Sequence, residues 1–413
     1  MAAVAKQDNS VNGREGGVEV EQGWEGVEIE REEGFLRPLE QRPCRGVQEG
    51  GVIPVIDVGA AVSAGVNPAA RRALLAQVKH ACQEWGFFHV ANHGIPLSLI
   101  HRLRQASKEF FQLPSEVKLQ VKKHAGGLGY YQGQLTNNIR DWREVFDMSA
   151  CGYLELPHTD PLTNKVGTKI FHNQWPSDAI REICEEYMRE AKRLAFTLTK
   201  LMWESLGLPP TRFEDYFGQS KTHRFRFNHY PVCSTPDLVL GVGAHTDVGA
   251  LTVLLQDEVG GLQIKQKDGQ WLDVHPDPTS PVINVADVMQ VLTNDKYRSV
   301  EHRVVVNRKV DRYSFSYSYN AASGIDVAPI SELVNENNPP KYKPINWGKY
   351  TMLRIDSSLN TLEFEHTTLR SFCWDVGGFV LGGRLNSGGD IGGVALPPSA
   401  LSCHHCVVPK HQQ

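Results

Sequence analysis

The sequence predicts a mainly β protein with added α-helices: a β sandwich or jelly roll covered by a helical layer from the N-terminal part of the chain. Three observations carry this. Short segments that alternate apolar and polar residues recur between about Arg224 and Asn320, as half-buried strands require. Tight-turn signals, Gly260-Gly261 and Asp268-Gly269, punctuate them as in an antiparallel core. The long segments of helical period lie mainly ahead of these strands, which places a helical layer against the sheet.

Composition narrows the function classes. The chain has 413 residues, 41% of them hydrophobic, enough to bury a large core in one elaborated domain or two closely joined ones. The formal net charge is −4, but residues 1–50 carry eleven acids against six bases, so the rest is close to neutral. Such a surface suits a small-molecule substrate better than a nucleic acid. No apolar run approaches a membrane span, and the acidic start lacks the layout of a signal peptide. The expectation is a cytoplasmic monomer that binds neither nucleic acid nor membrane. Eight scattered cysteines without a scaffold spacing are expected to be reduced thiols.

In chain order, residues 1–33 are Glu- and Gly-rich and read as a solvated leader, part of an acidic segment extending to residue 50. From about Asn67 to Trp85 the spacing of Leu74, Val78, Ala81, Cys82 and Trp85 is helical; Gly86 stops it, and Phe87-Phe-His-Val90 reads as a strand. His89 and His93 have no carboxylate at ligand spacing and read as structural. A second amphipathic helix runs from about Ser98 to Gln112, ended by Leu113-Pro114. Residues 126–148 read as a loop with mixed strand signals. The longest helical pattern, Ser177 to Leu206, carries one apolar stripe and ends at Gly207, so it packs across a sheet. In Arg224-Phe-Arg-Phe-Asn-His-Tyr230, the residues Arg224, Arg226, Asn228 and Tyr230 share one face, while His229 lies on the other and reads as structural. Arg226 would there either meet an acidic substrate or serve as an exposed structural arginine.

The chemistry concentrates between Gly241 and Asn320. His245 and Asp247 are two apart, so in a strand they project from one face while Thr246 turns away. His302 supplies a third ligand from elsewhere in the sheet. Two histidines and one carboxylate cover one face of an octahedron and leave positions open, as non-haem Fe(II) with a co-substrate and O2 requires. A structural zinc site would want four ligands, usually with thiolates, and no cysteine lies in this stretch. Arg312 and Ser314 are also two apart, so a guanidinium and a hydroxyl would hold a carboxylate between them.

His-x-Asp, a distant His and Arg-x-Ser, within Gly243-Ala-His-Thr-Asp-Val-Gly-Ala-Leu-Thr252 and Ser299-Val-Glu-His-Arg303, resemble the 2-oxoglutarate- and Fe(II)-dependent dioxygenases of plants. Trp85-Gly-Phe-Phe-His-Val-Ala-Asn-His-Gly-Ile-Pro96 is similar to that family's N-terminal signature, and Asp141-Trp-Arg-Glu-Val-Phe-Asp147 to a segment bordering its substrate pocket. Asn346-Trp-Gly-Lys-Tyr350 is similar to its closing segment. The resemblance implies a double-stranded β-helix core flanked by an N-terminal helical layer. It implies His245, Asp247 and His302 as metal ligands and catalytic centre, and Arg312, Ser314, Asn228 and Tyr230 as the 2-oxoglutarate site. Fe(II), 2-oxoglutarate, O2 and ascorbate as reductant are the implied cofactors. The expected divisions are a leader at 1–50, an N-terminal dioxygenase region at 52–165, the catalytic core at 220–322, a closing segment at 323–356 and a Gly-rich tail at 360–413. Within the tail, Cys403-His-His-Cys406 lacks a second thiol pair and reads as non-functional. The reaction implied is hydroxylation, desaturation or O-demethylation of a small plant metabolite, with release of succinate and CO2. Two other functions stand beside it: a same-fold oxidase using ascorbate in place of 2-oxoglutarate, and a catalytically silent metal- or ligand-binding protein. Relatives acting on flavonoids carry an aromatic residue four positions after the serine, where this chain has Ser318, and often a Pro where it has Ala321. The missing ring argues against a flavonoid and for a bulkier or more polar substrate.

Overall fold

A computed structural model describes residues 33–43, 52–62, 67–124, 127–159, 166–209, 211–218, 220–357 and 368–374. The leader up to residue 32 and the Cys403–Cys406 motif therefore lie outside the described residues. Two sheets build the core. The larger has eight strands in the spatial order β1 (Val55–Asp57), β2 (Phe87–Ala91), β14 (Val282–Val285), β11 (Leu251–Gln256), β16 (Arg312–Tyr319), β9 (Arg224–Tyr230), β6 (Glu144–Ser149) and β3 (Gly129–Gln132). All neighbours are antiparallel except β1 and β2. The smaller sheet orders β10 (Val242–His245), β15 (His302–Val304), β12 (Leu262–Lys265) and β13 (Trp271–Asp273). Three hairpin-like pairs complete the set: β4 (Leu135–Thr136) with β5 (Ile139–Arg140), β7 (Tyr153–Thr159) with β8 (Val166–His172), and β17 (Asp326–Val327) with β18 (Ile345–Asn346). Large antiparallel sheets with an open cavity between them form the jelly-roll core that the alternating segments call for.

The helices α1 (Gly59–Val62), α2 (Pro68–His80), α3 (Leu97–Phe111), α4 (Ser115–Leu119), α5 (Asp178–Ser205), α6 (Glu214–Phe217), α7 (Asp287–Leu292) and α8 (Trp347–Ser357) fill the gaps in the chain order. In the helical layer, α2 and α3 pack on α5, and α5 lies against β11 and β16. Local chemistry sets their ends. The Asn67 side chain accepts from Ala69 N–H with Pro68 in the first turn of α2, and Ser177 caps α5 by accepting from Ile180 N–H at 3.3 Å. At Gly86 the backbone turns left-handed (φ 67°), and an added Cβ would sit 2.6 Å from the Arg298 carbonyl, so both conformation and space demand glycine. The apolar stripe of α5 through Ile180, Tyr187, Leu194 and Leu198 is buried as its spacing predicts. Truncating fully buried Leu198 to Ala would cost about 2–5 kcal/mol.

Three departures from the sequence reading matter for the site. Residues 126–148 contain β3 and most of β6, outer strands of the large sheet. Every residue of β6 is buried, including Glu144 and Asp147, whose ion pairs replace the usual apolar-polar alternation. The strand bearing the first histidine stops at His245, after a register shift against β15, so Asp247 is presented by the following bend and not by strand alternation. Residues 368–374, inside the Gly-rich tail, form a short 3₁₀ turn, Leu369–Phe372, with Leu369, Phe372 and Cys373 packed on the main core. Among the described residues all five cysteines are free thiols.

Candidate functional site

The cavity between the sheets is lined by β9 and β16 of the large sheet and by β10 and β15 of the small one. His245 ends β10 and pairs in register with His302 at the start of β15, with ring centroids 4.3 Å apart. The bend after β10 brings Asp247 against both: its Oδ1 lies 3.6 Å from His245 Nε2 and 3.7 Å from His302 Nε2. One ligand atom from each of the three residues lies within 4.8 Å of the other two, close enough to share one ion.

Hydrogen bonding on the far side of each ring fixes what faces Asp247. His245 Nδ1 lies 2.8 Å from the Gly243 carbonyl and His302 Nδ1 3.1 Å from the Val300 carbonyl. A carbonyl can only accept, so both Nδ1 atoms donate a proton, and a neutral ring then turns an Nε2 lone pair inward. Burial above all, with His245 as a second cause, pushes His302 down to about 4, so that ring is neutral near pH 7. Burial alone would raise the Asp247 carboxyl, but the two imidazoles and the Thr252 hydroxyl hold it well below the usual carboxylate range. Its Oδ2 accepts from Thr252 Oγ1 at 2.5 Å and Asn284 Nδ2 at 2.7 Å, leaving Oδ1 toward the histidines. Two imidazole Nε2 atoms and a carboxylate oxygen thus converge on one point, a donor set that fits a divalent cation.

At the other end of the cavity Arg312, 2% exposed, has no carboxylate within ion-pair distance among the described residues. Its Nη2 donates to Gln256 Oε1 at 2.9 Å, its Nη1 reaches Ser314 Oγ at 3.5 Å, and its buried Nε has no partner. The guanidinium lies over the Tyr230 ring at 4.8 Å, and Asn228 Nδ2 donates to Ser314 Oγ at 3.4 Å. Cross-strand register produces this group, since Arg312 pairs with Tyr230 and Ser314 with Asn228. Gly241 makes room: a Cβ there would meet the Tyr230 ring at 2.6 Å. A buried cation with an orphaned donor and a hydroxyl beside it fits a carboxylate. The structure thus brings all seven sequence-predicted positions to one cavity. His229 lies outside it, between Asp311 and Glu144, and His89 and His93 bond to backbone carbonyls of the segment His275–Ser280.

Several supporting residues escape a local reading. Arg143 donates to Asn228 Oδ1 at 3.0 Å and is itself held by Gln134 and Asp141. Asp141 in turn pairs with Arg37 at 2.8 Å and accepts from Gly243 N–H, tying an N-terminal strap to the strand that carries His245. Asp287, 1% exposed, accepts from Thr246 Oγ1, Ser299 Oγ and Tyr350 Oη, and its own N–H donates to the Asp247 carbonyl. It joins α8 to the bend between His245 and Asp247, where Arg354 also donates to the Thr246 carbonyl. A sequence signal did exist for Thr252 and Gln256, the two polar residues of the otherwise apolar β11, and for Asn284, the one polar residue of β14.

A jelly roll holding two histidines, a carboxylate and an unpaired buried arginine around one cavity has the donor set of a non-haem iron oxygenase that takes a dicarboxylate co-substrate. Comparison with known proteins agrees. Residues 221–321 match the 2OG-Fe(II) oxygenase superfamily, and residues 53–178 match the non-haem dioxygenase in morphine synthesis N-terminal family. The chain is 37% identical to jasmonate-induced oxygenase 4 of Arabidopsis thaliana over 333 residues, covering 77% of this chain and 87% of that protein. It is 35% identical to flavanone 3-dioxygenase 2 of Oryza sativa subsp. japonica over 326 residues, 76% of this chain and 87% of the relative. Among solved structures, that of JOX2 in complex with 2OG, Fe and JA superposes with a TM-score of 0.64 at 30% identity, over 77% of this chain and 87% of the other. The dioxygenase for auxin oxidation in rice gives 0.61 at 27%, over 78% and 100%. The chain belongs to the 2-oxoglutarate- and Fe(II)-dependent dioxygenase family, and its cofactors are Fe(II) and 2-oxoglutarate. Among the described residues no helix is long and apolar enough to cross a membrane.

Proposed function

We propose that this dioxygenase oxidises a small organic molecule, by default through hydroxylation, with His245, Asp247 and His302 holding Fe(II) and Arg312, Ser314, Asn228 and Tyr230 holding 2-oxoglutarate. The observation that carries this is one cavity with three metal-ligating side chains converging at one end and, at the other, a buried guanidinium that no carboxylate of the described residues pairs with. When bound, Fe(II) with 2-oxoglutarate and O2 supplies the oxidising chemistry, including the decarboxylation that yields succinate and CO2.

The protein's part is positional and electrostatic. Gly243 and Val300 carbonyls hold the two imidazoles in the tautomer that presents Nε2. Thr252 and Asn284 occupy one oxygen of Asp247, so the carboxylate offers the other. Arg312 and Ser314 fork the far carboxylate of the co-substrate, and the Tyr230 ring backs the guanidinium. Apolar walls from Phe87, Leu254, Leu262 and Val304 exclude water and fix which substrate carbon faces the metal end.

The test is succinate formation by purified protein with Fe(II), ascorbate and 2-oxoglutarate against a panel of small plant metabolites. Wild type is expected to turn over, and Arg312→Ala to raise the KM for 2-oxoglutarate about 10- to 100-fold through loss of a charged fork. An unchanged KM in that variant would remove Arg312 from the assignment. Iron binding without any 2-oxoglutarate consumption would instead favour an ascorbate-only oxidase.

A further inference from the structure

We infer that the cavity has a second anion site, built from Arg224, Arg226, Ser316 and Ser318, and that it takes the carboxylate of a monocarboxylic substrate with an apolar body. This inference rests on the preceding assignment of the co-substrate end. The two strands β9 and β16 pair Asn228 with Ser314, Arg226 with Ser316 and Arg224 with Ser318 in unbroken register, and all six residues line the cavity. Guanidinium and hydroxyl, which at Arg312 and Ser314 stand two apart on one strand, are thus set side by side again, across the strand pair, further along the same two strands. At about 3.3 Å per residue, Ser318 lies roughly 13 Å from Ser314, too far for one small dicarboxylate to serve both ends.

Charge balance separates the two ends. Fe(II), ionised Asp247, a dianionic co-substrate and Arg312 together cancel, so the co-substrate leaves nothing to neutralise a second set of cations. That set exists. The fully buried Asp147 carboxylate accepts from Arg224 Nη2 at 2.7 Å, Arg226 Nε at 2.8 Å and Nη2 at 3.0 Å, with Lys123 Nζ 3.5 Å away. Three basic side chains thus share one acid, and neighbouring Arg143 shares Asp141 with Arg37. Burial first, with Arg224 and Arg226 acting against the pull of Asp147, pushes the Lys123 ammonium down to about 7. Buried Arg224 Nε and Arg143 Nε have no partner. Asp147 holds the arginines in place and cannot discharge them. Leu254, opposite Ser316 in the neighbouring strand, and Phe87, Val248 and Trp347 add apolar surface to the same cavity, which suits a hydrocarbon body. Ser318 is small where a ring would close the space, leaving room for the anionic head.

The experiment compares acids with their own methyl esters. Dissociation constants are measured anaerobically, with the full chain loaded with Fe(II) and 2-oxoglutarate, for 3-cyclohexylpropanoate, 4-phenylbutanoate and 6-phenylhexanoate and for the three esters. At least one acid is expected to bind about tenfold tighter than its ester or better, as a charge-assisted pair requires. Arg226→Gln and Arg224→Gln are expected to bring acid affinity down to that of the ester, and Arg226→Lys to retain part of the preference. Ser318→Phe, which leaves the Asp147 ion pairs intact, is expected to abolish acid binding, and thermal melting of each variant reports its folding. If no acid binds better than its ester, or if the preference survives unchanged in Arg226→Gln, Arg224→Gln and Ser318→Phe, the inference is wrong. The 2-oxoglutarate affinity of the same wild-type preparation tests the underlying assignment separately.

Discussion

Asp247, which lines the cavity, and Asp147, which lies behind its arginines, are chemically identical groups in opposite electrostatic surroundings. Both are held well below the usual carboxylate range in spite of burial. Asp147 achieves this with arginine and lysine partners already supplied by the chain. Asp247 has neutral donors on one oxygen and two imidazole nitrogens at the other, a donor set that suits a metal cation. A carboxylate surrounded by too many cations marks an anion site; one facing lone pairs marks a metal site. The contrast teaches that the sign of the local charge imbalance, and not the burial of a charged group, says what the site lacks.

Substitution at the two aspartates should separate them most sharply. Asp247→Ala is expected to lower succinate formation at least about a thousandfold through loss of iron, with the fold retained, as read by an iron assay and circular dichroism. Asp147→Asn is expected to leave iron bound but to destabilise the fold by about 3–5 kcal/mol in urea titration, because buried guanidinium groups lose their partner. If Asp147→Asn instead loses iron with stability unchanged, the division between the two sites is wrong. A smaller effect is expected at Asn284→Ala, which frees one oxygen of Asp247: iron affinity should fall about 10- to 100-fold in a metal titration, with little change in the KM for 2-oxoglutarate at saturating iron.

The smallest effect is a pH dependence on the opposite face of β9. Burial would lower His229, but Asp311 and then Glu144 raise it above its ordinary value. A raised folded value means the charged ring favours the native state. Its contribution is full below the unfolded value of about 6.5 and is lost as pH rises through the higher folded value. Wild type should therefore lose part of its urea stability between pH 6 and 9, and His229→Gln should flatten that slope. An identical slope in both would remove His229 as its source.

Much of this architecture was legible in the chain. The ends of α5, the left-handed Gly86 and the alternating faces of β9 and β16 follow from residues a few positions apart. So do the pairing of Arg312 with Ser314 and the small residue at Ser318. The strand status of β6 was hidden because Glu144 and Asp147 are buried by partners from distant elements, which erases the alternation that marks a strand.

By itself the sequence determined which side chains could face one way together, because backbone period is a local property. Only the tertiary structure decided which charges are answered. Asp147 finds Arg226 across 79 positions, Asp287 finds Tyr350 across 63, and Arg37 finds Asp141 across 104, whereas Arg312 finds no acid among the described residues. Ion pairing depends on distance through space and on exclusion of water, neither of which is written in the spacing of residues along the chain.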